Sequence, residues 1–258
     1  MTHRISTLTL GLALTASIAL SPNARAATLQ VCGSCSYTTI QAAVDAAASG
    51  DMIEIAPGTY YESVSITAPG SLLLQPSSGR VTIDATGFDR ALEILDPGAI
   101  VTLKDMDLTR ADGWAGLVNH GHTTLATVHV MANSGTFGGI FNAGSLVTMV
   151  NSVIAGNTAT ALGSAGGLNN FAWVDLWNTT LLGNVGHEGG GFKTSGNSRV
   201  TVFASSISGN QASSMGGGYF NSSPQALVDI KASSSFSANS AAYCDTYYDV
   251  NQTPDCVN

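Results

Sequence analysis

Between Gly116 and Asn239 one phrase is written five times, and its period limits the possible folds more than any other feature. The copies are GLVN (116–119), GIFN (139–142), GLNN (167–170), GFKT (191–194) and GYFN (218–221). Each closes on an asparagine: Asn133, Asn157, Asn184, Asn210 and Asn239. Successive starts lie 23, 28, 24 and 27 residues apart. A period in this range marks stacked repeats that bury their apolar faces only against neighbours. Aligned on the closing Asn, the apolar positions superpose: Leu125, Met149, Leu176, Val202 and Ile230, then Val130, Ile154, Leu181, Ile207 and Phe236. Like residues stacked on parallel strands about 4.8 Å apart give aliphatic columns inside. Asn119, Asn142, Asn170, Thr194 and Asn221 form one ladder and the closing asparagines another. Asparagine is expected there as a corner residue that tolerates left-handed backbone angles and whose side chain can bond the neighbouring coil's backbone. Sandwiches and barrels carry no internal identity of this kind, so the expected fold is an all-β parallel β-helix.

The two ends read differently. Arg4, the apolar run Leu8–Leu20 and the small residues around Ala26 match a secretory signal peptide over 1–26. The run is too short to span a bilayer. Residues 27–258 are then one domain, with a cap over 27–51, coils over 52–239 and a C-terminal cap over 240–258. Nine basic residues less Arg4 and Arg25, against 17 acidic, leave the mature chain at −10. That charge repels phosphate backbones, so no nucleic-acid partner is expected. In an exported chain Cys32 with Cys35, and Cys244 with Cys256, are expected to bridge locally and pin the ends. The redox alternative for the first pair lacks a surrounding βαβ pattern.

After a short strand over 28–32, Thr38 and Gln41 match a capping box. Ile40, Val44 and Ala47 share one helical face, and Gly50 is the expected stop. This helix suits a plug over the open end of the solenoid. Strands are expected over 52–56, 61–66, 71–75, 81–85, 91–95 and 101–108, separated by Pro-Gly and Ser-Gly breakers.

The stretch CGSCSYTTIQAAVDAAASGDMIEIAPGTYYE (32–62) resembles the N-terminal coil of the pectate-lyase-like superfamily. Its members are single-stranded right-handed parallel β-helix proteins. The phrases GGIFN, GGGYFN and FSAN resemble polymorphic outer-membrane-protein repeats of bacterial surface proteins. The resemblance implies a right-handed solenoid, secreted or on the outer surface of a bacterium, with possible peripheral association with the outer membrane. A monomer is expected. The superfamily includes polysaccharide lyases, glycoside hydrolases, esterases, epimerases and non-catalytic adhesins, so function has to come from a site.

Strand alternation points one column outward: Thr102, Thr124, Thr148, Asp175, Thr201 and Asp229. Its neighbour carries Trp177, Phe203 and Lys231. Asp175 and Asp229, two rungs or about 9.6 Å apart, have the separation of an inverting glycosidase pair. Trp177 and Phe203 would supply a platform for sugar rings. A second cluster places Asp107 one rung from His129, a general acid/base arrangement, with Asp105 at the preceding corner. Trp114 and His120 are expected to extend it toward substrate. Glu188, in a Gly-rich loop, is a further candidate acid. Solvated aspartates, a ladder substitute at Asp105 and an exposed histidine are the plain structural alternatives.

No spacing fits a zinc site or a dedicated calcium loop, although carboxylates for calcium are present. No cofactor is expected. The preferred function is a carbohydrate-active enzyme, a glycoside hydrolase cleaving a neutral, glucan-like polysaccharide as its extended partner. A non-catalytic surface adhesin or a lyase acting on uronate polymers are the alternatives. The lyase is disfavoured by scattered basic residues. An ice-binding threonine array is interrupted by Asp175 and Trp177.

Overall fold

The computed structural model describes residues 26–68, 70–231, 233–244 and 247–249. Nearly all of the expected signal segment, and Cys256, lie outside these. A single coil illustrates the architecture. Ala99–Lys104 lies in sheet A, Met106–Thr109 in sheet B, Asp112–Gly113 in a short sheet and Ala115–Asn119 in sheet C, before the chain returns to sheet A. Among the described residues sheet A has nine strands, sheets B and C eight each and the short sheet six. Neighbouring strands are parallel throughout, so the chain is the parallel β-helix expected from its repeats.

Register follows the apolar columns. Leu103, Leu125, Met149, Leu176 and Val202 are Cα partners in succession and are fully buried. So are Val130, Ile154, Leu181 and Ile207. Ile230 is in the last sheet A strand among the described residues and is 37 % exposed. In sheet C the column changes from Leu117, Ile140 and Leu168 to stacked rings. Phe192–Tyr219 and Tyr219–Tyr247 centroids are 4.9 and 5.1 Å apart, with the ring planes nearly parallel.

Both asparagine ladders form, but in the interior and not at left-handed corners. Asn133, Asn157, Asn184 and Asn210 each donate through backbone N and Nδ2 to the Oδ1 of the next closing Asn, at 2.9–3.0 Å. Asn119, Asn142 and Asn170 run Nδ2 to the next side-chain oxygen at 2.9, 2.9 and 3.3 Å, the last onto Thr194. The left-handed angles fall on other residues: Asp105, Thr127, Asn151, Asn178 and Ala204 in one column, and Ala132, Gly156, Gly183, Gly209 and Ala238 immediately before the closing asparagines. Solvent-facing turns need the backbone conformation, whereas buried ladders need the amide's donors and acceptor.

Three local expectations are corrected. The stretch 101–108 is two strands broken at Asp105, whose φ is 51°. The helix, Ile40–Ala46, is capped by Thr39 and not Thr38. It ends before Gly50, with Ala47 already extended. Gln41 reaches Ser65 of the neighbouring coil, while Glu62 accepts from the backbone N of Ile40 and Gln41, supplying the anion at the helix start. Cys32 and Cys35 form the expected disulfide. Ser240–Tyr243 and Tyr247–Asp249 continue the short sheet and sheet C, so the described part of the expected C-terminal cap is more coil.

The repeated glycine also has a physical cause. A Cβ on Gly139, Gly167 or Gly191 would lie under 3.0 Å from the carbonyl oxygen of Gly167, Gly191 or Gly218 on the next coil. Gly167→Ala is therefore expected to cost about 3 kcal/mol by overpacking. Gly33→Ala, where an added methyl meets nothing within 4 Å, should change little. Urea unfolding followed by circular dichroism separates the two.

Candidate functional site

In Trp173–Trp177 the alternation turns Val174 and Leu176 inward, fully buried, and leaves Trp173, Asp175 and Trp177 on the outer face of sheet A. The next rung places Arg199, Thr201 and Phe203 beside them in register. Trp173 is 59 % exposed, Trp177 42 % and Phe203 40 %. The Trp177 and Phe203 rings meet at 4.8 Å and 45°. Leu146, Trp173, Asp175, Trp177, Arg199 and Thr201 line a shallow groove. The Asp175 side chain has no ion pair or hydrogen bond among the described residues. Its carboxylate stands between two indoles with its acceptor sites open to a ligand.

Asp229 lies two rungs from Asp175, as the alignment predicts. It is not a free second carboxylate, however: Lys231 Nζ is 2.7 Å away and Arg199 Nη2 3.7 Å. Sequence reasoning missed Trp173 and Arg199. The alternation in WVDLW already places Trp173 on the same face as Asp175.

Asp107 and His129 do face each other across one rung, with Nδ1 to Oδ1 at 3.0 Å. The sequence reading missed the third member, Arg80. Its Nη2 lies 2.5 Å and its Nε 3.1 Å from the same Asp107 oxygen, and Nη1 and Nη2 donate to the carbonyls of Thr127 and Met106. Arg80 thus closes a corner with four hydrogen bonds, the pattern of a structural pin. Burial, then the Arg80 charge, push the His129 pKa below its ordinary 6.5, with Asp107 opposing them. The unfolded chain consequently binds the extra proton more readily, so stability falls as pH drops through about 6.5. His129→Gln is expected to flatten that acid limb, measured as urea midpoints from about pH 5 to 8.

Trp114 and His120 do not extend the Asp107–His129 pair, which projects from sheet B. They flank Ala115–Asn119 of sheet C, where Trp114 meets Phe137 at 5.1 Å and His120 meets Phe141 at 6.2 Å. Asp105 forms the left-handed turn between the sheet A and sheet B strands, φ 51°, a corner shared with Asn151 and Asn178. Glu188 is likewise committed: Lys193 Nζ lies 2.7 Å from its Oε2, and both side chains are largely buried. No group of three or more potential metal ligands occurs among the described residues. A partly enclosed hollow lies under the capping helix, lined by Val44, Asp45, Ala47 and Ser49 on one side and Ile66, Ala68 and Leu72 on the other.

No protein-family model matches the chain, and no curated protein matches it in sequence. It is similar in fold to a pectate lyase, Pel9A, with 17 % identity over 89 % of this chain and 81 % of that one, at a TM-score of 0.49. It is also similar to a pectin methylesterase from Aspergillus niger, with 16 % identity over 86 % and 70 % at a TM-score of 0.46. Likeness at this level carries no residue across, so the reading of the site rests on its own geometry.

Proposed function

We propose that this protein is carbohydrate-active and holds an extended, neutral glycan along the outer face of sheet A. One observation carries the reading: Trp173, Asp175 and Trp177 project from a single strand, with both indoles exposed and the carboxylate between them unpaired. Exposed aromatic faces receive the apolar faces of pyranose rings, and a carboxylate accepts strong hydrogen bonds from sugar hydroxyls. Adjacent outward side chains on a strand lie about 6.6 Å apart, so the two indoles span more than one ring. The formal charges balance, Arg199 and Lys231 against Asp175 and Asp229, which favours a neutral chain over a polyanion. Display at the cell surface or secretion, as the leader implies, suits a polymer too large to enter a cell.

Hydrolysis by an Asp175–Asp229 pair is the finer reading, and Lys231 weighs against it. The ion pair holds Asp229 in the role of a binding group. A second reading, elimination on a uronate chain, draws on Arg199, whose half-exposed guanidinium stands on the rung beside Trp173. Oligosaccharide titrations combined with reducing-end release distinguish these. Saturable binding of neutral oligosaccharides, with or without turnover, supports the proposal. Binding confined to oligogalacturonates, with the ultraviolet absorbance of an unsaturated product, would replace it with the lyase.

A further inference from the structure

All three tryptophans of the chain are on the surface, Trp114 at 39 %, Trp173 at 59 % and Trp177 at 42 %. Indole is ordinarily among the more buried side chains, so exposure of every copy is a property to be explained. Two of them line the groove. The third, Trp114, stands edge-on to Phe137, whose ring is 4.5 Å from Phe141, itself 5.6 Å from Phe171. Phe171 is 47 % exposed and sits at the corner between sheets C and A, two residues before Trp173. Exposed aromatic side chains therefore stand on both sides of this corner, Phe171 after the sheet C strand and Trp173 at the start of the sheet A strand.

The 28-residue coil owes its extra length to a loop over 160–165, which is tied to the coils on either side. Asn169, 2 % exposed, accepts from the Ala165 N–H and donates to the carbonyls of Ala165 and Phe137 at 2.8, 2.8 and 3.0 Å. Lys193 Nζ donates to the Gly163 carbonyl at 2.7 Å, and the Gly163 N–H donates to His187 Nδ1 at 3.1 Å. Asn169 thus ties the end of the loop to the Phe137 backbone, and His120 adds a polar ring 6.2 Å from Phe141.

We propose that Trp114, Phe137, Phe141 and Phe171 form a second sugar-binding site, taking the same class of neutral oligosaccharide by stacking, with His120 at its polar edge. This rests on the glycan reading of the groove. Phe171 at the shared corner is the reason for choosing a glycan as its occupant: a chain leaving Trp173 meets Phe171 next.

The test uses the isotope-labelled full chain, whose three indole N–H signals are assigned by Trp114→Phe, Trp173→Phe and Trp177→Phe. It is titrated with cello-oligosaccharides and, separately, oligogalacturonates. The expected result is that cello-oligosaccharides shift Trp114 as well as Trp173 and Trp177. The Trp114 shift should survive Trp177→Ala and weaken roughly fivefold in Phe171→Ala. Movement of Trp173 and Trp177 with Trp114 silent would overturn the second site and leave the groove standing. Loss of the Trp114 response in Trp177→Ala would reduce it to an echo of the groove and also overturn it. No indole shift with either probe would overturn both.

Discussion

Alanine at Asn184 is expected to lower the thermal midpoint by about 10 °C. Asn184 Oδ1 accepts from both the backbone N and the Nδ2 of Asn157, and its own Nδ2 donates to Ile154 O and Asn210 Oδ1. Every group involved is buried. Removing the amide strands the Asn157 backbone N–H and one N–H of its side-chain amide, whose other N–H keeps the Val130 carbonyl. Each stranded buried group costs roughly 1–3 kcal/mol, so a loss of about 4 kcal/mol is expected. Stacked coils share this loss with neighbours, because each repeat is stable only through its interfaces. Asn178→Gly is the contrasting case. Asn178 is exposed, its φ is 48°, and it makes one exposed bond to Asn151. Glycine accepts that backbone without strain, so the change should stay within about 0.5 kcal/mol. Differential scanning calorimetry of the two variants reads the difference; equal shifts would mean that the interior ladder does not hold the coils together.

Trp177→Ala carries the largest expected effect on function. The indole leans on Phe203 at 4.8 Å, so its loss removes one stacking face and loosens the other. Truncating a tryptophan at the centre of a binding surface typically costs about 2 kcal/mol, roughly thirtyfold in affinity. Asp175→Asn keeps the shape and one acceptor but loses charge-assisted bonds to hydroxyls, for a loss of roughly tenfold. Asp229→Asn should leave binding within about threefold, because its carboxylate is already engaged by Lys231. If Asp229→Asn abolished turnover while Asp175→Asn retained it, catalysis would be centred on the Lys231–Asp229–Arg199 edge of the groove.

The coil architecture was legible because apolar register is a strong signal: one misplaced residue would turn Leu125, Met149 and Leu176 to the wrong face. Asparagine is expected in the right columns and its side chain does bond the neighbouring coil's backbone, but the left-handed angles expected of it fall on other residues. Its turn chemistry and its ladder chemistry draw on the same side chain, and only burial separates them. The helix cap was misread because Glu62, 22 residues beyond Ile40, does the work expected of Gln41. Part of the site was equally readable. Asp175, Trp177 and Phe203 followed from alternation, whereas Arg80 and Arg199 reach their partners through side-chain length that a column alignment does not contain. Trp114 and His120 were placed near Asp107 by chain proximity. Between them the coil turns from sheet B through the short sheet to sheet C, which carries those residues to another face.

Isothermal titration of the unmodified protein and of Trp177→Ala with neutral oligosaccharides of increasing length tests the central claim most directly. Binding that is saturable in the unmodified protein, tightens with chain length and weakens roughly thirtyfold in the variant is the predicted result. Equal affinity in both proteins, or no binding by the unmodified protein at any length, would contradict it.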